Sequence, residues 1–147
     1  MPQTRYISWI PAPNTIKRID KIHTFLYVAS FGWIGRRLDG LDVLLLTTRG
    51  KRSGKLRRVP LPYFRDGERY LLVASFGGNP KNPAWISNLL ADPEVQVQCG
   101  PRRWSARARV AQGAERARLW AAITYDFPRY AVYQTKTSRE IPVVVLE

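Results

Sequence analysis

The stretch LLLTTRGKRSGKLRRVPLPYFRDG (residues 44–67) decides the fold. Two apolar segments typical of strands flank a loop with two glycines, which predicts a β-hairpin. Of the ten residues 49–58, six are Lys or Arg and none is acidic. Because like charges at this density repel one another, an anionic ligand is the favoured interpretation, and a solvated basic turn is the alternative.

Strand and helix patterns continue on both sides of this hairpin. Residues 1–35 are predicted to form an N-terminal arm and a helix, with helical spacing over residues 15–29. Further strands are predicted over 42–49, 56–64, 68–75, 95–99, 104–110 and 141–146, and further helices over 83–92 and 114–127. The prolines of segment 56–64 suggest an edge or a bend. Strands joined by short turns, without βαβ alternation, predict an α+β fold whose antiparallel sheet closes or partly closes into a small barrel.

Length, charge and cysteine content narrow the class of protein. A chain of 147 residues is sufficient for one domain with a buried core. The formal net charge of +13 predicts attraction to phosphate, acidic small molecules or an anionic membrane surface. The single cysteine, Cys99, cannot form an intrachain disulfide and favours a reducing, cytoplasmic setting. The longest uncharged apolar segment, residues 24–35, is too short to span a bilayer.

Catalysis by side chains alone is disfavoured. With one histidine, His23, and one cysteine, zinc sites of the Cys/His type are unavailable, and no metal site is expected. The segment GKRSGKL (residues 50–56) is not a nucleotide-hydrolysing phosphate loop, because its glycines are one residue too close and Leu56 stands where Ser or Thr is required. Any redox reaction must therefore be carried by a bound organic cofactor.

Three segments supply candidate binding residues. In the first loop, Lys51, Arg52 and Arg57 can form charge-assisted hydrogen bonds, and Ser53 adds a hydroxyl. The second loop, residues 75–88, leads into a helix and contains the cation Lys81 and the flat ring of Trp85. In the third, Phe127, Tyr130 and Tyr133 share one face of a helix. They form either an aromatic packing stripe or the wall of a substrate pocket.

Four ordered motifs give the chain a resemblance to a known family. They are LLLTTRGKRSGKLRRVPLPYFRDG, VASFGGNPKNPAW, NLLADPEVQVQ and YQTKTSREIPVVV, and they extend from about Val43 to the C-terminus. In this order and spacing the chain resembles the deazaflavin-dependent nitroreductases, split β-barrel oxidoreductases that use coenzyme F420. The resemblance implies one split-barrel domain over residues 1–147, similar to FMN-binding barrels, with about six mostly antiparallel strands and flanking helices.

The resemblance also implies roles for individual residues. The phosphate and acidic tail of the coenzyme would be bound by Lys51, Arg52, Ser53 and Arg57. The deazaflavin ring would lie along Pro60, Val73, Ala74 and Ser75, in a pocket framed by Trp85 and Asn88, with Lys81 as a further cation. On the substrate side, Tyr130 would orient the acceptor or donate a proton, with Tyr133 beside it and Ser75 as a hydrogen-bonding group. The reaction implied is hydride transfer from the reduced coenzyme to a quinone, an activated alkene or a nitroaromatic compound.

The chain departs from the family pattern at some positions, and alternatives stay open. Phe76 stands where a lysine is common, Ile86 and Ser87 follow Trp85 where the family often has other residues, and Phe127 stands where a third tyrosine can occur. These changes bear on which acceptor is chosen and on the length of the coenzyme tail that is bound.

One rival is an FMN-dependent oxidoreductase on the same barrel. Another is a basic nucleic-acid-binding barrel, which is disfavoured because no strand interleaves basic and aromatic residues across a whole face. Two further interpretations are compatible with the enzyme: a homodimer, and peripheral contact of the N-terminal helix with the inner face of a membrane. The latter would use Trp9, Trp33, Arg36 and Arg37.

Overall fold

The computed structural model of the chain describes residues 13–29, 37–38 and 40–147. The helices are α1 (Pro13–Ala29), α2 (Ala84–Ala91), α3 (Gly113–Asp126) and α4 (Arg129–Thr135). The strands are β1 (Arg37–Leu38), β2 (Leu41–Arg49), β3 (Leu56–Asp66), β4 (Arg69–Val73), β5 (Glu94–Cys99), β6 (Arg102–Val110) and β7 (Val143–Leu146). The predicted helix over 15–29 is confirmed, whereas the short strand β1 was not predicted.

The β-hairpin predicted around the two-glycine loop is present. Strands β2 and β3 pair antiparallel, with Leu45 opposite Pro60 and Thr48 opposite Arg57. A second hairpin joins β3 to β4 through a turn at Gly67 and Glu68, and the φ of +60° at Gly67 explains why a glycine is favoured there. The predicted hairpin of β2 and β3 is therefore confirmed.

Six strands close into a barrel. The strand order is β1-β2-β3-β4-β7-β6-β5, and β5 returns to pair with β2, placing Leu46 opposite Val97. Every pairing among the described strands is antiparallel. The expectation of a small antiparallel barrel with flanking helices is confirmed.

The prolines of β3 lie where that strand has one neighbour. The pairing of β3 with β4 extends only from Tyr63 to Asp66, whereas its pairing with β2 extends through Pro60 and Pro62. Because proline cannot donate to a strand ladder, an edge is where it is tolerated. The predicted edge is thus confirmed for this half of β3.

Two apolar clusters lie on the two faces of the barrel wall. Inside the barrel, the core includes Leu44, Leu46, Leu72 and Val97, and α2 contributes to it. On the outer face, α3 and α4 cover β4 and β7, where the core includes Leu71, Val143, Val145, Leu119, Ile123 and Tyr130. Adjacent residues Leu71 and Leu72 thus point to opposite faces, as the alternation of a strand requires.

Helix α1 is attached to the barrel through Tyr27. This side chain is fully buried, and its hydroxyl lies 3.3 Å from the Val43 carbonyl oxygen and 3.2 Å from that of Gln98. The hydroxyl also accepts a hydrogen bond of 2.8 Å from the Gly100 N–H. None of the described helices is long and apolar enough to cross a bilayer.

Candidate functional site

The loop between β2 and β3, residues 50–55, is held in a tight turn and is called the basic loop below. The Gly50 N–H donates to the Lys55 carbonyl oxygen (2.7 Å), and the Gly54 N–H donates to that of Gly50 (2.8 Å). A Cβ on Gly50 would lie 2.6 Å from Ser53 Oγ and 3.1 Å from the Lys55 carbonyl oxygen. Gly54 has a φ of +68°, a conformation that L side chains rarely adopt. Both glycines are therefore required by the shape of the turn.

Most of the positive charge around this turn has no carboxylate partner. Arg49 is the exception, since it donates to the Gly54 carbonyl oxygen (3.0 Å) and its Nε lies 3.5 Å from Asp92 Oδ2. Within the part of the chain that the structure describes, five exposed cations form no ion pair: Lys51, Arg52, Lys55, Arg57 and Arg58. The donor set of the loop therefore fits a ligand with several negative charges.

The buried amide of Asn88 holds the backbone of the basic loop in place. Its Oδ1 accepts a hydrogen bond from the Lys51 N–H (3.0 Å), and its Nδ2 donates to Thr48 Oγ1 (3.1 Å). Both Asn88 and Thr48 are buried. The amide thus ties the loop to β2 and α2. Its expected place in the frame of a cofactor pocket stays a prediction.

The segment 74–83 between β4 and α2, called the β4–α2 loop, contains the other candidate residues. Ser75 is half-buried and Lys81 is exposed. Phe76 has a φ of +46°, and Gly77 and Gly78 also have positive φ. Gly78 lies so close to α4 that a Cβ would be 2.7 Å from the Tyr133 carbonyl oxygen. The loop is therefore packed against the helix that carries the two candidate tyrosines.

The residues expected along the cofactor ring divide between the two faces of the barrel wall. Val73 packs on the outer cluster. Pro60 precedes Phe64 by four residues in β3, so both side chains lie on the same, outward face of the strand. Ala74 and Trp85 belong instead to the interior core, where their side chains are 0% and 6% exposed. Contact of any of these residues with a cofactor stays a prediction.

The aromatic stripe of α4 is also a packing element. Tyr130 is 5% exposed, and its ring lies edge-on to Phe64 at 5.4 Å and to Tyr133 at 5.6 Å between centroids. The prediction that Phe127 shares a helix face with the two tyrosines is wrong, because Phe127 lies between α3 and α4 in a non-helical conformation; its ring lies 5.2 Å from that of Phe64 between centroids. The packing interpretation therefore holds, while the catalytic roles of Tyr130 and Tyr133 stay predictions.

Arg139, which is not among the predicted site residues, contacts the β4–α2 loop at four points. Its partners lie 57 to 65 positions away along the chain. The residue lies in the family motif YQTKTSREIPVVV, but no local pattern indicates contacts across such a separation. Its contacts become visible only in the folded chain.

Comparisons with known proteins agree with this arrangement. The profile of the F420H(2)-dependent quinone reductase family matches residues 19–147. An F420H(2)-dependent quinone reductase of Mycobacterium tuberculosis is 42% identical over 130 residues, covering 86% of this chain and 87% of the relative. A solved structure of an F420-H2 dependent reductase is 44% identical, with a TM-score of 0.65, over 71% of this chain and 93% of that chain. A second solved structure, described only as a domain-swapped dimer, is 38% identical, with a TM-score of 0.68, over 92% of this chain and 100% of that chain.

Proposed function

This chain belongs to the F420H(2)-dependent quinone reductase family, and we propose that its basic loop binds the anionic tail of the coenzyme. The protein is accordingly an oxidoreductase with coenzyme F420 as its cofactor. The observation that carries the proposed binding mode is the set of unpaired cations around the basic loop. The tail of the coenzyme is a phosphodiester followed by a glutamate chain, and its negative charges match these cations.

We assign tasks to four polar residues in and beside the basic loop and to Asn88 beneath it. Lys51, Arg52 and Arg57 neutralise the tail through charge-assisted hydrogen bonds, which are stronger than neutral ones. Ser53 Oγ already accepts a hydrogen bond of 3.2 Å from the Lys55 N–H, so its own hydrogen is available to an anionic oxygen. Asn88 keeps the backbone at Lys51 in place.

The ring of the coenzyme is assigned to the outer face of β3 and β4 beside α4. Pro60 and Val73 supply an apolar wall that excludes water, while Ser75 offers a hydroxyl to the acceptor. When bound, the reduced coenzyme supplies a hydride for the two-electron reduction of a quinone. Tyr130 or Tyr133 then holds the proton that the reduced acceptor requires, at its phenol oxygen.

The number of cations argues against FMN as the cofactor. FMN carries a single phosphate, whereas five unpaired cations surround the basic loop. The surplus of positive charge is accounted for by a longer polyanionic tail. FMN binding on the same barrel is therefore the outcome that would contradict the assignment.

A direct assay separates these two cofactors. We expect the purified protein to oxidise reduced coenzyme F420 in the presence of menadione, and to bind FMN weakly. The reaction is followed by the recovery of coenzyme absorbance, with protein-free and menadione-free controls. Tight binding of FMN, with no turnover of reduced coenzyme F420, would overturn the proposal.

We further propose that α1 contacts an anionic membrane surface from which quinones are drawn. Ile22 and Phe25 of α1 are 64% and 71% exposed, and the cations Arg18 and Lys21 are exposed on the same helix. At 3.6 residues per turn, Phe25 lies nearly opposite the buried anchor Tyr27. An apolar face with flanking cations is suited to the interface of an anionic bilayer. Trp9, Trp33 and Arg36, also named for this contact, lie outside the described residues, as does the side chain of Arg37.

Vesicle sedimentation tests this contact. The wild-type protein should sediment with vesicles that contain phosphatidylglycerol and much less with pure phosphatidylcholine. The double variant Ile22→Ser/Phe25→Ser should lose that binding while retaining turnover with a soluble quinone. If the variant instead changes the oligomeric state and leaves vesicle binding intact, this face contacts a second copy of the chain, and the membrane proposal fails.

A further inference from the structure

Arg139, in the segment between α4 and β7, binds the β4–α2 loop at four points. Its Nε donates to the Asn79 carbonyl oxygen (2.8 Å), and its Nη2 donates to that of Ser75 (2.8 Å). Its Nη1 donates both to the Ala74 carbonyl oxygen (3.1 Å) and to Asn82 Oδ1 (2.8 Å). One guanidinium therefore connects the start of the loop with its far end.

The charge of Arg139 is not balanced by a carboxylate. All four acceptors are neutral, and within the described chain Arg139 forms no ion pair. Burial lowers the pKa of its guanidinium, although an arginine remains charged in proteins. Arg109 shows the contrast, since its guanidinium binds Glu115 and Glu147. A half-buried cation with only dipoles around it adds a positive potential to the loop.

The loop that Arg139 holds is under backbone strain. Phe76 has a φ of +46°, which is unfavourable for a bulky side chain. Such a conformation persists when surrounding contacts over-determine it. Arg139 supplies these contacts on both sides of the strained residue, at Ser75 and at Asn79.

The direction of the carbonyl groups determines where the neighbouring N–H groups point. In a planar trans peptide, the N–H lies opposite the carbonyl to which it is joined. Since the carbonyls of Ala74 and Ser75 face Arg139, the N–H groups of Ser75 and Phe76 face away from it. Among the described residues, neither N–H has an acceptor. The loop thus presents two adjacent free donors on the side remote from Arg139.

We propose that Arg139 is a positioning residue for the coenzyme: it fixes the loop so that the N–H groups of Ser75 and Phe76 receive an oxygen of the deazaflavin ring. The guanidinium of Arg139 lies on the carbonyl side of the same two peptide groups and has no carboxylate partner among the described residues. Its positive charge therefore also favours a ring that carries negative charge. This inference rests on the proposed function, because it requires coenzyme F420 as the ligand. It assigns to the β4–α2 loop a backbone contact in addition to the Ser75 side chain.

The wild-type protein gives the first test, by amide hydrogen exchange with and without coenzyme F420. The N–H groups of Ser75 and Phe76 should exchange rapidly in the free protein and slow at least tenfold when the coenzyme is bound. Unchanged exchange at both amides, under conditions where binding is independently saturated, would overturn the inference. If the coenzyme does not bind at all, the proposed function fails as well, so the two failures are distinguishable.

Substitution of Arg139 gives the second test. Arg139→Met should raise the Kd for coenzyme F420 at least tenfold and abolish the slowing of exchange at Ser75 and Phe76. Arg139→Lys keeps the positive charge but lacks the planar guanidinium that binds several carbonyl oxygens at once. It should therefore recover part of the affinity but not the slowed exchange. The matched control is Arg107→Met, since Arg107 is exposed and pairs with Glu94 on the barrel surface. A folded Arg139→Met variant with wild-type Kd and wild-type protection would contradict the role.

Discussion

Single side chains around the basic loop divide into those proposed to bind the coenzyme and those that support the turn. Lys51 illustrates both, because its side chain is exposed while its N–H is held by buried Asn88. Arg49, one of the six cations in the stretch, supports the loop through the Gly54 carbonyl oxygen. Charge density alone therefore overstates the number of cations that are available to a ligand.

The binding role of the exposed cations predicts a loss of affinity in Lys51→Ala/Arg52→Ala. Each charged hydrogen bond lost should cost at most about 1.5–3 kcal/mol, which corresponds to an increase in Kd of at most roughly 10- to 150-fold per residue. Isothermal titration with coenzyme F420 measures the change. Arg18→Ala/Arg103→Ala removes the same charge from exposed positions elsewhere and should leave Kd close to wild type. Equal Kd values for both double variants would contradict the assignment.

The hydroxyl of Tyr130 is expected to act on the acceptor and not on the coenzyme. Tyr130→Phe keeps the ring that packs on Phe64, so the apolar contact between β3 and α4 should be retained. Turnover with menadione should fall at least tenfold while the Kd for the coenzyme is unchanged. Tyr133→Phe, measured in parallel, shows which phenol is dominant. A comparable loss of turnover, binding and stability in Tyr130→Phe would make the residue structural.

At the scale of elements, the turn of the basic loop depends on the absence of a side chain at Gly50. A Cβ there would force Ser53 Oγ to move and break its hydrogen bond with the Lys55 N–H. Gly50→Ala should therefore lower stability by about 1 kcal/mol and weaken coenzyme binding several-fold. Thermal melting and titration measure the two effects.

The control for this variant is a glycine in a different turn. Gly67→Ala, in the β3–β4 turn, should lower stability because Gly67 has a positive φ. A Cβ there would contact nothing within 4 Å, so no neighbouring group has to move and the Kd should stay unchanged. Weakened binding in Gly67→Ala, to the same extent as in Gly50→Ala, would show that the effect is global.

Elements with a local signal could be predicted, and contacts between distant segments could not. The hairpin of β2 and β3 follows from apolar runs around two glycines, and α2 follows from the proline before it. The pairing of β5 with β2, the Asn88–Thr48 contact and the Arg139 contacts all join residues about 40 or more positions apart. No periodicity in the sequence encodes such contacts. The exposed cations around the basic loop were therefore predictable, whereas the supporting contacts of Asn88 and Arg139 were not.

For the whole molecule, a network of ion pairs connects the β3–β4 hairpin, α3 and the C-terminus. Glu115 accepts hydrogen bonds from Arg109 and Arg69, and Arg109 also binds Glu147. The Arg109 hydrogen bonds lower the pKa of Glu115 from 4.5 to about 2, and they also lower that of Glu147. Arg118 and Arg69 lower the pKa of Asp66 in the same way.

The network predicts a specific dependence of stability on pH. Since these carboxyl groups lose their protons at lower pH in the folded chain than in the unfolded chain, their contribution is complete above about pH 4.5. It is lost as the pH falls toward about 2. The melting temperature of the wild type should therefore fall more steeply in this window than that of Glu115→Gln. Glu94→Gln, which removes the exposed ion pair of Glu94 with Arg107, serves as the control. Parallel curves for wild type and Glu115→Gln would refute the role of the network.

The central claim is that the basic loop binds the polyanionic tail of coenzyme F420. The most direct measurement compares the Kd of the complete coenzyme with that of its deazaflavin ring lacking the phosphate and glutamates, at low and high salt. We predict that the complete coenzyme binds at least tenfold more tightly at low salt, and that Lys51→Ala/Arg52→Ala or high salt reduces this advantage. Equal affinity of the wild-type protein for both compounds would contradict the account.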